Sequence, residues 1–381
     1  MRCRHSILFA LLGAASLACA QTDYQTTGVQ DNMPVFAASL KGKLTFPMAW
    51  MPQVPDLPAW RSAGRAKVWE LTLQSPDKTP FHPRVLAEID RGAYVARKVA
   101  FNLTADSRVV GLLLVPKGKG PFPAALMLHD HGARFDIGKE KLIEPWGDAG
   151  KLATAQAWTQ KYFSGRFPGD ALAQRGYVVL AVDALGWGDR GPLTGEAQQA
   201  LAANSFNLGS SLAGIMALED ARAAEFLAAQ PEVARGKVAA VGFSMGGFRA
   251  RQVAALSDAI SAFVVVNWMA TTDGLMVAGN NQLKGSSAWN MLHPGLVRYL
   301  DYPDVASLAA PKPALFFAGE MDGLFPAASV RRAFGKMARV WGAWKASNRF
   351  EARMLAGGHE FTQPTQEAAY DWLDQQMGRA K

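Results

Sequence analysis

From residue 94 onward the chain repeats short apolar runs, several of them almost continuously apolar, separated by helical segments, and few folds accept that pattern. The runs cover residues 95–103, 109–115, 124–128, 178–182, 238–241, 263–266, 314–317 and 350–355. Several are bounded by Gly or Pro, as strands buried on both faces tend to be. Between them, Leu212, Ile215, Met216, Ala223, Phe226 and Leu227 fall on one face at helical spacing. Strands alternating with helices imply a mainly parallel sheet covered by helices on both faces. Ligands of such sheets sit beyond the carboxyl ends of the strands. Ahead of this core, residues 21–60 carry Pro47, Pro52, Pro55 and Pro58 close together, a spacing that breaks regular structure repeatedly. A short helix over 59–73 follows, and Pro76, Pro80 and Pro83 lead into the core. The expected organisation is therefore an arm with one helix over 21–93, packed on a catalytic core over 94–381.

The reactive residues follow from that layout. Gly242-Phe243-Ser244-Met245-Gly246 is a G-x-S-x-G sequence. The motif alone is weak, but here it follows a buried run and opens a helical stretch over 248–256, the setting it needs. A sharp strand-to-helix turn exposes Ser244, and side chains at 242 and 246 would collide. A serine hydroxyl needs a base to take its proton, and the base needs an orienting acid. In this arrangement the acid and then the histidine follow the serine along the chain. Asp322 lies in the turn after the 314–317 run, with Glu320 its competitor two residues nearer the strand. Of six histidines, only His293 and His359 come after Ser244. His359 follows the last run and a Gly357-Gly358 turn, whereas His293 follows no strand, so His359 is the expected base.

Charge on the attacked carbonyl oxygen must be met by preorganised N–H donors. One is expected from the backbone of Met245. The second is expected from the loop after 124–128, His129-Asp-His-Gly-Ala-Arg134, at Ala133, with Gly132 or His131 as alternatives. His129 and His131 could also form a metal pair. No third ligand of suitable spacing accompanies them, so no metal and no other cofactor is expected. The segment between Trp268 and Pro311 is expected to lie over the site as a cap carrying Trp268 and Trp289. Trp146, Trp158 and Trp187 fall in loops or in the first crossover. Aromatic faces in a cleft suit sugar or aryl acyl groups, although tryptophans serve as often to fill a core. His131, Trp187 and Trp268 are the candidate substrate contacts.

The first twenty residues have the layout of a secretory signal peptide: basic Arg2, Arg4 and His5, an apolar stretch over 7–17, and Ala18-Cys19-Ala20 as the cleavage site. The apolar stretch is too short to span a bilayer. A lipoprotein anchored at Cys19 is the lesser alternative, because Ser16 replaces the usual Leu. Cleavage would remove both cysteines of the chain, leaving no disulfide, thiolate nucleophile or cysteine metal site. The expected location is periplasmic or secreted. The formal charge of +8 is scattered, with no basic run interleaved with aromatics, so a nucleic-acid partner is not expected. No other segment reaches membrane-spanning length.

Several motifs together resemble the dienelactone hydrolase superfamily. These are the Gly-Phe-Ser-Met-Gly-Gly elbow, the His131-Gly132 loop, Gly176-Tyr-Val-Val-Leu-Ala-Val-Asp183 with Gly186 and Gly188, and Gly319-x-x-Asp322 followed by His359. Within that group the chain is most similar to secreted acetyl-xylan-esterase-like hydrolases, which carry a segment like Arg298 to Pro311 before the acid strand. The resemblance covers roughly residues 60–380. It implies an α/β-hydrolase fold with a cap insert, about 268–311, after the sixth core strand. It also implies a serine-dependent carboxylic ester hydrolase that works through an acyl-enzyme on a small-molecule or polysaccharide ester, acetyl-xylan esters among them. Dienelactone hydrolases proper use a cysteine where this chain has Ser244, so their named activity does not carry over. Glucuronoyl esterases carry Arg after the serine where this chain has Met245, a more distant likeness. A serine peptidase of the prolyl-oligopeptidase type is one alternative, but too few residues precede the first strand to hold the usual propeller. A non-catalytic binding protein is another, and the intact Ser, Asp and His argue against it.

Overall fold

Among the residues described by the computed structural model (38–277, 280 and 289–378), the eight apolar runs and one further strand pair into a nine-stranded sheet. Its strands are β1 Arg84–Asp90, β2 Tyr94–Thr104, β3 Ser107–Pro116, β4 Phe122–Leu128, β5 Val178–Ala181, β6 Val233–Phe243, β7 Ala262–Val266, β8 Ala314–Gly319 and β9 Phe350–Leu355. The spatial order is β1-β2-β3-β5-β4-β6-β7-β8-β9. The pairs from β1 to β5 by way of β2 and β3 are antiparallel, and every pair from β5 to β9 is parallel. The expected signal segment and Cys19 lie outside the described residues.

Because β4, β5, β7 and β8 are almost wholly buried, side chains alternate between two cores rather than between a core and water. Leu126 and Leu128 of β4 face one side, Ala125 and Met127 the other. The first side is covered by α1 (Leu57–Thr72), and the second by α2 (Ala149–Tyr162) and α3 (Pro168–Gln174). Next in the chain come α4 (Gly195–Asn207) and then α5 (Leu212–Ala228), α6 (Met245–Leu256) and α7 (Ala327–Ala343), the last three on the first side. The closing helix α8 (Gln363–Met377) returns to the second side. Ser211 caps α5 by accepting from the Gly214 N–H at 2.9 Å. A buried two-bond pair, Arg249 to Asp220 at 2.9 and 2.7 Å, ties α5 to α6.

Two boundaries differ from expectation. The sheet begins at Arg84 inside the expected arm, because β1 is an edge strand whose Val85 and Leu86 are exposed and so make no buried run. Pro58, taken for a breaker, sits in the first turn of α1, where its missing N–H costs nothing. Asp56 caps that helix, accepting from Ala59 N–H at 2.9 Å. The helix then docks on the core at Gly64, where any side chain would strike Leu308.

The connections from β4 and β6 leave in opposite directions: β4 leads to β5 on one side, and β6 leads to β7 on the other. The crevice between their carboxyl ends is a topological switch point, the usual ligand position in open α/β sheets.

Candidate active site

Ser244 follows β6 at that switch point, with φ 55° and ψ −126°. This conformation is sparsely populated for a residue with a side chain and persists only where its surroundings enforce it. Here the Ser244 N–H donates to Val266 of β7 at 2.8 Å. A Cβ on Gly242 would collide with the Gly246 carbonyl, and one on Gly246 with the Leu128 carbonyl of β4. The second glycine therefore serves the neighbouring strand rather than its own turn.

Three separate strand ends converge on this turn. His359 Nε2 lies 2.9 Å from Ser244 Oγ, and His359 Nδ1 lies 2.7 Å from Asp322 Oδ2. Asp322 is buried, and its other oxygen accepts from the Leu324 N–H at 2.9 Å. With Nδ1–H donated to the carboxylate, Nε2 is free to accept the serine proton. Glu320 turns outward to Arg331. His293 is buried, 2.6 Å from Gln252 Oε1, and does not line the cavity of Ser244. Phe243 and Phe325 pack on the His359 ring.

Met245 begins α6, so its N–H is among those a helix leaves without an internal acceptor. Ala133 does not take the position expected of it. Its N–H donates to His131 Nδ1 at 3.0 Å, and it is exposed outside the cavity that Ser244 lines. The loop residues that do line this cavity are Asp130, His131 and Gly132.

The cavity holds about 120 Å³, and its walls include Trp158, Tyr162, Phe243, Trp268, Met291, Leu324 and Phe325. A larger apolar cavity of about 350 Å³, lined by Leu40, Phe206, Leu275, His293 and Tyr302 among others, contains none of Ser244, Asp322 and His359. The smaller one is the candidate chemical site, because Ser244 and His359 both line it. From the expected cap, Trp268 and Met291 reach it, linked by the Trp268 indole N–H to Met291 Sδ at 2.7 Å. Trp187 does not. It is fully buried against His129, His131 and Phe135, so it is core filling rather than a substrate contact. Trp146 stacks under Lys98 in a different hollow, and Trp289 does not line the site. Tyr162 was a wall that sequence did not single out, and Trp158 was placed only in a loop or the first crossover. They stand four residues apart on α2 and so share one face, a spacing that marks them once that helix is recognised.

The histidine pair is committed elsewhere. His129 Nε2 accepts the Ala184 N–H at 3.0 Å, which leaves the proton on Nδ1 for the Asp130 carbonyl at 2.9 Å. His131 accepts at Nδ1 and meets the Gln198 amide at Nε2, 2.7 Å away. Burial, then the nearby Lys141 ammonium, pulls His131 down to about 4, so the ring is neutral. Among the described residues, the one group of three potential metal ligands is Glu140, Asp183 and Asp189. The Lys139 ammonium already sits among them, at 3.0, 2.6 and 2.7 Å. Burial pulls that lysine down, but the three carboxylates outweigh it and hold it above the ordinary lysine range.

The profile of the Abhydrolase family matches residues 19–378. YtaP of Bacillus subtilis (strain 168), named as a hydrolase, is 28% identical over 300 residues, covering 78% of this chain and 94% of its own. A Bacteroides fragilis NCTC 9343 structure named as an acetyl xylan esterase superposes with a TM-score of 0.69 at 19% identity, over 84% of this chain and 81% of that one. A glucuronoyl esterase from Solibacter usitatus gives a TM-score of 0.62 at 15% identity, over 88% and 99%. At these identities the two structures share the fold.

Proposed function

The chain belongs to the Abhydrolase family, and from that premise we propose a serine-dependent carboxylic ester hydrolase in which Ser244, His359 and Asp322 form the catalytic line. The observation that carries this is the pair of contacts at 2.9 and 2.7 Å meeting at a serine held in a strained turn. Ser244 Oγ attacks the ester carbonyl while His359 Nε2 takes its proton. Asp322 keeps the imidazole in the right tautomer and steadies the imidazolium. The oxygen that gains charge is met by the Met245 N–H and by the loop after β4. His359 then returns the proton to the departing alcohol, leaving an acyl-enzyme. Water, deprotonated by His359, releases the acid and frees Ser244.

The narrow cavity with aromatic walls supports a short acyl group. Together with the names of the similar structures, it favours acetyl esters of sugars or polysaccharides, in the manner of the dienelactone-hydrolase-like esterases that the sequence resembles. Those names also support ester rather than peptide cleavage. The expected result for Ser244→Ala is loss of turnover on small activated esters by on the order of a million-fold, with the thermal midpoint unchanged. Near-wild-type rates from that purified variant would overturn the assignment. The signal-peptide layout of residues 1–20 supports export to the periplasm or medium. The mature chain is then expected to begin at Gln21, and an N-terminal mass showing uncleaved cytoplasmic protein would refute it.

A further inference from the structure

Beneath the loop after β4 lies a lysine that none of the steps above uses. Lys141 is fully buried, and its Nζ donates to two backbone carbonyls of that loop, Asp130 at 2.9 Å and His131 at 2.8 Å. The ammonium also stands 4.8 Å over the Trp158 ring and 3.6 Å from the Asp130 carboxylate. The Asp130 carbonyl has a second donor, His129 Nδ1–H at 2.9 Å. Trp158 in turn donates its indole N–H to the Asp130 carboxylate at 3.1 Å. A buried ammonium is costly unless well paired, and here two of its partners are backbone carbonyls of a single loop.

Those carbonyls decide where the loop's N–H groups point. All cis peptide bonds among the described residues precede proline, so the Asp130–His131 and His131–Gly132 peptides are trans. In a trans peptide the N–H points opposite to its own carbonyl. The Asp130 carbonyl shares its plane with the His131 N–H, and the His131 carbonyl with the Gly132 N–H. With both carbonyls drawn onto Lys141, both N–H groups face the other way. Lys141 does not line the cavity of Ser244, whereas Asp130, His131 and Gly132 do, so the loop lies between the ammonium and the cavity.

We propose that Lys141 is a positioning residue for the oxyanion donors: it holds and polarises two consecutive peptides so that the N–H groups of His131 and Gly132, rather than Ala133, complete the site opposite Met245. The proposal rests on the ester-hydrolase reading. Polarisation works in the same direction as aim, because a carbonyl that accepts strongly makes the N–H of its own peptide a better donor.

Lys141→Met keeps the apolar stem and removes the charge. Its kcat on a small activated acetate ester is expected to fall about a hundred-fold, in the range seen when a single oxyanion donor is removed, with KM changed less than about threefold. Affinity for a small alkyl boronic acid, whose adduct with Ser244 carries an anionic oxygen, should fall by a similar factor. A lysine that only supports the fold would lower the thermal midpoint yet leave kcat per folded molecule and boronate affinity within about threefold, and that result overturns the proposal. A measurement on the unaltered protein decides the matter even if the variant does not fold. Boronic acid should shift the amide proton signals of His131 and Gly132 downfield and leave Ala133 in place, while a shift at Ala133 alone overturns it. Failure of the ester-hydrolase reading looks different, since the wild-type protein would then show neither turnover nor a boronate adduct on Ser244.

Discussion

At the scale of single residues, the acid is the member of the triad that sequence left most open, with Glu320 and Asp322 two positions apart in one turn. The geometry separates them, because Asp322 is buried against His359 Nδ1 and Glu320 is turned out to Arg331. Asp322→Asn should lower kcat by about ten-thousand-fold, since an amide there favours the wrong imidazole tautomer. Glu320→Gln removes only a surface ion pair, worth about 1 kcal/mol or less, and should leave kcat within about threefold. Parallel measurement of the two variants checks this, and a reversed order would move the acid to Glu320. Ser244 and Asp322 were legible because each is a polar residue placed just past a buried apolar run, and His359 because it follows the last strand and a Gly-Gly turn. Ala133 and Trp187 misled for one shared reason: sequence shows that a residue lies in the loop, not which way its N–H or ring faces. That direction is fixed here by His131, which takes the Ala133 N–H and packs on Trp187.

At the scale of elements, the strands most plainly marked in the sequence were β4, β5, β7 and β8, almost wholly buried, where the chain has little freedom to be anything but apolar. Strand β1 escaped because an exposed edge strand makes no such run, although its hydrogen bonding to β2 is regular apart from one bulge. Helix α6 begins three residues earlier than the expected stretch, directly at Met245. The difference is functional, since it places the Met245 N–H on the first turn beside the serine. The lining of the cavity was the least legible part. Trp158 and Tyr162 come from α2 and Met291 from the insert, and which crossover folds over a sheet end is decided by packing among segments far apart in the chain.

At the scale of the whole molecule, acid sensitivity follows from histidines buried in the neutral form. Burial pulls His293 down to about 3 and His131 to about 4, and holds His129 well below its ordinary value, with nearby cations adding to each. An unfolded histidine binds a proton near about pH 6.5, so below that pH the unfolded chain takes up protons that the folded chain refuses. Stability is therefore full above about pH 6.5 and falls progressively toward the depressed folded values. His293 alone accounts for about 2 kcal/mol at pH 5. The thermal midpoint should drop between pH 6.5 and 5, and His293→Gln should flatten that drop. An unchanged slope in this variant would remove the histidine from the explanation.

The walls of the site and its reacting atoms hang on different parts of the chain. Ser244, Asp322 and His359 sit on strand ends locked into the sheet, while Trp158, Tyr162, Trp268 and Met291 come from a crossover helix and an insert. Substitutions at Tyr162, Trp268 and Met291 can reshape what enters without disturbing how it is cleaved, whereas Trp158 also holds the Asp130 carboxylate of the loop after β4. A scaffold divided in this way lets descendants of one ancestral enzyme part company over diet while inheriting the same reaction, and it tells an engineer which stretches to randomise and which to leave alone.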